Sequence, residues 1–140
     1  MTITDIKNRL NDPSVRSVLA LSQYQPTPEK VAARATAYQT DPDVAAFACI
    51  ENENSLGVIV LKNRGTQSFE ILSIAVDPDR RNQQIGSKLI AYAADHLHCI
   101  QITAETDDDA VGFYRSYGFE ITSLGEKYPG CIRYLCTLNL

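Results

Sequence analysis

Residues 70–89, EILSIAVDPDRRNQQIGSKL, place an apolar run, a polar turn and a helix-period segment in direct succession. A helix that starts there leaves its first backbone N–H groups without partners, and its dipole favours an anion. Arg80, Arg81, Asn82, Gln83 and Gln84 crowd further donors around the same point. Gly86 allows close approach of the backbone to a ligand. This combination suits a pyrophosphate. A solvated basic helix start would have the same composition, so the segment alone does not choose between the two.

Other residue types able to do chemistry are less well arranged. Cys49, Cys99, Cys131 and Cys136 form no CxxC pair and lie in or beside apolar runs, so they read as buried, reduced thiols in strands. His96 and His98 have no third ligand at a recognisable spacing, and no metal site is expected. They read as ordinary residues at a helix end, where a His also complements the dipole. The chain has neither GxxxxGK[ST] nor GxGxxG, which disfavours a nucleotide-binding α/β protein.

The elements that must position the turn follow from periodicity. Residues 3–10 and 14–22 show helical spacing, broken by Asn11-Asp12-Pro13. Thr27 can cap a third helix, with Pro28 at its first position, over about 29–39. Strands are expected at 44–50, 55–62 and 67–76, joined by Asn- and Gly-containing turns into an antiparallel meander. Residues 85–97 put Ile85, Leu89, Ile90, Ala93, Ala94 and Leu97 on one helical face. A short strand follows at 99–104, so strand, helix and strand make a parallel crossover. A helix at 108–116, with Asp107 as its cap, stops at Tyr117-Gly118. Strands at 118–124 and 131–138 end the chain. The expected fold is α/β: a central mixed sheet with helices on both faces, in one domain spanning 1–140.

Composition sets outer limits. The chain has 140 residues, 44% hydrophobic and 21% charged, enough for one α/β core. A net charge of −4 gives no electrostatic basis for gripping nucleic acid. It leans instead towards a cationic small molecule. No apolar run is long enough to span a bilayer, so no membrane partner is expected. The opening MTITDIKNRLND has neither a signal-peptide nor a transit-peptide pattern, and the cytoplasm is the expected compartment.

Two blocks together resemble the GNAT superfamily of N-acetyltransferases. Its acyl-CoA-binding motif, Gln/Arg-x-x-Gly-x-Gly/Ala after a V-x-P strand end, is matched by Arg81-Asn82-Gln83-Gln84-Ile85-Gly86 after Val76-Asp77-Pro78. Gln84 stands where the pattern has its first glycine. The second block, Ala110-Val111-Gly112-Phe113-Tyr114-Arg115-Ser116-Tyr117-Gly118-Phe119, is similar to the family's A-x-x-F-Y-x-x-x-G-F segment. Asp107 stands where the family often has Asn. The match covers roughly the second half of the chain, and the meander before it also fits.

The resemblance implies an acetyl-CoA-dependent enzyme that acetylates an amine: a small molecule, an amino acid, or a peptide or protein amine. Acetyl-CoA would lie in a V-shaped split between the strands near 72–76 and 99–104. Its contacts would come from Ile74, Ala75, Val76, Arg81, Asn82, Gln83, Gln84, Ile85, Gly86, Ser87, Asp107, Ala110 and Phe113. The N–H of Ile74 or Val76 would polarise the thioester carbonyl. Tyr114 would be the general acid for the departing thiolate, and Glu70 a candidate general base. Strict alternation would put Glu70, Leu72 and Ile74 on one face. Phe113 reads as a core aromatic. Tyr24, Tyr38, Tyr128, Arg133 and Tyr134 are candidates for lining the acceptor site. No cysteine sits at a nucleophile-like turn, so direct transfer is expected rather than an acetyl-enzyme. Gln84 and Asp107 keep a second reading open, a non-catalytic acyl-CoA-binding module. A homodimer through the last strands is compatible with the sequence.

Overall fold

The computed structural model describes residues 1–140. Seven strands form one sheet: β1 (Thr2–Asp5), β2 (Val44–Glu51), β3 (Asn54–Asn63), β4 (Ser68–Val76), β5 (Gln101–Asp107), β6 (Glu120–Tyr128) and β7 (Cys131–Asn139). Their spatial order is β1-β2-β3-β4-β5-β7-β6. All neighbours are antiparallel except β4 and β5, which run parallel across the expected crossover. The helices are α1 (Pro13–Leu19), α2 (Pro28–Thr40), α3 (Ile85–His96) and α4 (Val111–Tyr117).

Two apolar cores lie on opposite faces of the sheet. One contains Phe47, Ile59, Leu61, Leu89, Ile90 and Ile102 under α3 and α4. The other contains Leu10, Val15, Leu19, Ala35, Val58 and Val60 under α1 and α2. Because helices cover both faces, β3 reads as a continuous apolar run instead of an alternating one. α2 starts as expected: Thr27 Oγ1 accepts from the Lys30 amide at 3.2 Å, and Pro28 occupies the first turn. α4 ends at Gly118, whose φ of +119° an L-residue would adopt at a cost. Gly57 lets the start of α3 lie on β3; a Cβ there would meet Ile85 Cγ2 at 2.8 Å and Leu89 Cδ1 at 3.2 Å.

Three expectations need correction. Residues 3–10 are not a helix: β1 pairs with β2, and a 3-10 turn, Lys7–Arg9, follows. Ile3, Ile6 and Leu10 have helical spacing, but Thr2-Ile3-Thr4 is β-branched and completes the sheet beside β2. Ile6 and Leu10 then reach the core from the turn. β5 starts two residues later than expected and ends three later, its polar end, Glu105–Asp107, still pairing with Arg133–Leu135 of β7. Cys99 precedes β5, and Cys131 is only partly buried; Cys49 and Cys136 are buried strand thiols as expected.

Candidate active site

The parallel ladder between β4 and β5 is short. It runs from Ser68↔Gln101 to Ile71↔Ala104 and stops. At the same place the register of β4 against β3 slips, from Leu61↔Ile71 to Val60↔Ser73, so Leu72 is an extra residue. This bulge breaks the alternation expected along β4. Phe69 and Ile71 face the α3 core, Leu72 and Ala75 face the α1/α2 core, and Ile74 and Val76 face α3 again. Glu70, Leu72 and Ile74 therefore do not share one face.

Beyond the bulge β4 has a ladder partner only on its β3 side. The Asp77 amide donates to Leu56 O at 2.7 Å, towards β3. Alternation along the ladder turns the N–H groups of Ile74 and Val76 the other way, towards the open side.

A cleft of about 500 Å³ runs from this open edge to the start of α3. Its walls include Ile74, Ala75 and Val76 from β4, Asn82, Gln84, Ile85, Gly86 and Ser87 at the turn and helix start, and Ala110, Phe113 and Tyr114 from α4. The first amide of α3 with a partner inside the helix is Lys88 N, which donates to Gln84 O at 2.9 Å, and no side chain caps the helix. The amides of Ile85, Gly86 and Ser87 are thus free at the cleft. Arg80 and Arg81 supply the positive charge. Arg80 is anchored by Glu51 at 3.0 Å, whereas no carboxylate of the chain pairs with Arg81.

Gln84 is the helix cap, in the left-handed region at φ 59°, ψ 27°. That conformation suits glycine best. Here a glutamine adopts it and the turn keeps its shape. Asn82 is also left-handed, at φ 67°. Gly86 is needed for close approach, but in this structure the neighbour is a side chain: a Cβ would lie 3.1 Å from Phe113 Cζ. Phe113 is consequently not a core aromatic. It is 36% exposed and forms a wall of the cleft.

Tyr114 is buried and reaches the cleft from the first turn of α4. Burial pushes its phenol well above the ordinary value of 10, and the neighbouring Cys136 adds to this. Phe119 and Phe113 pack edge-on against the ring, with centroids 5.2 Å away in each case. Burial likewise raises the thiols of Cys49, Cys99 and Cys136, so they stay protonated at neutral pH.

Of the residues expected to contact acetyl-CoA or act in catalysis, three lie outside the cleft walls: Glu70, Gln83 and Asp107. Glu70 is bound by Arg64, whose Nε donates to Oε1 at 2.9 Å and Nη2 at 2.5 Å. Asp107 Oδ1 accepts from the amides of Asp109 and Ala110, at 3.1 and 3.2 Å, and so orders the turn before α4. Among the acceptor candidates, Tyr134 donates to Asp108 at 2.6 Å and Arg133 to Glu105 at 3.4 Å. Tyr128 is exposed. Tyr38 is buried against β4, its hydroxyl 2.8 Å from Ser73 Oγ. His96 stacks on Tyr92, with ring centroids 5.4 Å apart, and no group of three or more His, Cys, Asp or Glu side chains is arranged to hold a metal. No helix is long and apolar enough to cross a membrane. Leu21, on the 3-10 turn Ala20–Ser22, is a cleft residue that sequence reasoning missed. Its one signal was a large apolar side chain at the polar end of a helical segment.

A bulged strand beside a split parallel pair leads here into an uncapped helix with a basic turn, a combination that suits a phosphate-bearing ligand. Residues 42–121, more than half of the chain, match the family described as Acetyltransferase (GNAT) domain, and the chain belongs to that family of acetyltransferases. No curated protein matches by sequence. Among solved structures, it is similar to the aminoglycoside 6'-N-acetyltransferase from Enterococcus faecium, with a TM-score of 0.78, 20% identity and coverage of 99% of this chain and 97% of that one. It is also similar to the ribosomal-protein-S18-alanine N-acetyltransferase from Escherichia coli (0.78, 19%, 99% and 92%). A third similar structure is a GNAT family acetyltransferase from Elizabethkingia anophelis with acetyl-CoA bound (0.71, 24%, 99% and 97%). At these identities the likeness carries the fold.

Proposed function

We propose that this chain transfers the acetyl group of acetyl-CoA directly to an amine within a ternary complex. The observation that carries the reading is the set of free amides at Ile85, Gly86 and Ser87, opening on a cleft that continues to the unpaired edge of β4. The cleft fits the donor. Its amides and Arg81 suit a pyrophosphate. Ile74, Val76 and Phe113 offer an apolar wall to the arm that follows. Acetyl-CoA supplies an activated thioester carbonyl. The Ile74 or Val76 amide donates to the carbonyl oxygen as negative charge develops there.

The acceptor nitrogen bonds to the acetyl carbon and the carbon–sulfur bond breaks. An ammonium acceptor loses two protons in forming the amide; one ends on the CoA sulfur and one is released. Tyr114 holds its proton throughout the neutral range, since burial raises its pKa. It therefore serves the departing sulfur as a hydrogen-bond donor in a concerted transfer, not as a freely ionising acid. The ion pair with Arg64 and the position outside the cleft support a structural role for Glu70. Gln84 and Asp107, the departures from the family pattern, both have working places: one holds the left-handed cap, the other orders the turn before α4.

Calorimetric titration with acetyl-CoA, followed by thiol release over a panel of amines, tests the proposal. Saturable binding with release on one amine class is expected. A protein that does not bind acetyl-CoA would refute it.

A further inference from the structure

A second cleft, of about 470 Å³, is lined by Ser22, Gln23, Tyr24, Lys30, Ala33 and Arg34. It is continuous in sequence with the main cleft, because Leu21 lines one and Ser22–Tyr24 the other. It is also coupled to β4 by packing. The 3-10 turn Ala20–Ser22 packs on that strand. The Arg34 guanidinium sits 5.9 Å from the centre of the Tyr38 ring. The Tyr38 hydroxyl meets Ser73 at 2.8 Å, and Ser73 adjoins Ile74 at the split.

The chemistry of this cleft is one-sided. Lys30 and Arg34 are one helical turn apart on α2, both exposed. The six ion pairs of the chain use Arg9, Lys62, Arg64, Arg80, Lys127 and Arg133 as cations, so Lys30 and Arg34 have no carboxylate of their own. No acidic residue lines the cleft; Glu29 is adjacent in sequence but not part of it. Gln23 brings a third donor, and its Nε2 is buried without a hydrogen-bond partner. A buried donor left unpaired is costly, and an acceptor atom that reached it would recover that cost. Two unpaired cations and an orphaned donor, with no anion supplied by the chain, are complementary to an anionic group. The planar fork of Arg34 suits a carboxylate in particular.

We infer that the acceptor is an amine that also carries a carboxylate, such as an amino acid or a peptide, with the carboxylate held by Lys30 and Arg34. This rests on the acetyltransferase reading and names the acceptor class for it. It reverses the expectation of a cationic small molecule drawn from the net charge. Whole-domain charge is a long-range average, whereas the pocket presents a local surplus of donors.

The test uses dipeptides with a free C-terminus, the same dipeptides amidated, and an aminoalkyl phosphate of similar length. Their affinities for the CoA-loaded protein are measured by calorimetry. The free dipeptides should bind at least about tenfold tighter than the amidated ones. In the Lys30→Gln/Arg34→Gln double variant the two forms should bind alike, with acetyl-CoA titration reporting that the variant is folded. Equal or tighter binding of the amidated form overturns the inference. So does a preference that survives in the double variant, a preference for the phosphate alone, or no dipeptide binding by a protein that still binds acetyl-CoA. Failure to bind acetyl-CoA would instead strike the acetyltransferase reading.

Discussion

The two sides of β4 build their clefts from different material. On the α3 side the donors are backbone amides, fixed by where a helix begins and by a strand that loses its partner at a bulge. On the α2 side the donors are the side chains of Lys30, Arg34 and Gln23, at the surface of a helix and on the loop that precedes it. A backbone site is as rigid as the packing beneath it and tolerates changes of surface side chain. A side-chain site can be retuned one residue at a time without moving the fold. One side is thus suited to a donor that never changes, the other to a variable acceptor.

The α3 side is tested most severely at Tyr114, the buried side chain in its cleft wall. Tyr114→Phe should lower kcat about 100-fold while acetyl-CoA affinity changes less than about twofold, because a positioned proton donor acts on the step and not on binding. Steady-state kinetics beside calorimetry would show it; an unchanged kcat removes Tyr114 from its role. The raised phenol pKa has a sign that can be checked as well. The folded state prefers the protonated form, so the stabilisation is fully present below the ordinary value of 10 and is lost as pH rises beyond it. In the Tyr114→Phe variant that alkaline loss of thermal stability should shrink.

The backbone side should break when the backbone is moved. Gly57→Ala pushes Ile85 and Leu89, at the start of α3, off β3. Overpacking of this kind costs about 1–3 kcal/mol and should lower Tm by several degrees, with a loss of acetyl-CoA affinity alongside. Trimming should hurt less: Arg81→Ala should weaken acetyl-CoA about tenfold, the worth of one partly solvated charge-assisted contact, with Tm unchanged. If Arg81→Ala proved the more damaging to affinity, the contrast between the two sides would be wrong.

The same contrast explains what was legible in the sequence. The helix start at Ile85 and the wall of α4 were readable because a turn, a glycine and an apolar period are local features. The bulge at Leu72 was not, because it is defined by β3 and not by β4. β1 was misread because Ile3, Ile6 and Leu10 carry a helical period that tertiary pairing overrides. The second cleft was invisible because Lys30 and Arg34 look like any solvated pair on a helix. Only the structure shows that no carboxylate reaches them.

Gln84 gives a smaller effect. Gln84→Gly removes a left-handed penalty of roughly 1–2 kcal/mol but adds about 0.4–1 kcal/mol of unfolded-state freedom. The net expectation is a gain of about 0.5 kcal/mol in denaturant unfolding, with acetyl-CoA affinity within about twofold, since the amides that follow keep their direction.

The smallest effect should come from Glu70. Its carboxylate is turned to Arg64 across the β3–β4 turn, with both side chains partly in solvent. Pairs of this kind are worth about 0–1 kcal/mol. The bulge separates it from Ile74, so a group on its face is not carried to the open edge of the strand. Glu70→Gln should therefore leave kcat/KM within about twofold at every pH from about 6 to 9, because no proton on the reaction path depends on this carboxylate. A general base would behave otherwise. Its loss would depress the rate most where the carboxylate had been ionised and the acceptor still protonated, and would change the shape of the profile. A changed profile would mean that the Arg64 pair opens when acceptor binds, which would make the α2 side a moving site as well as a side-chain one.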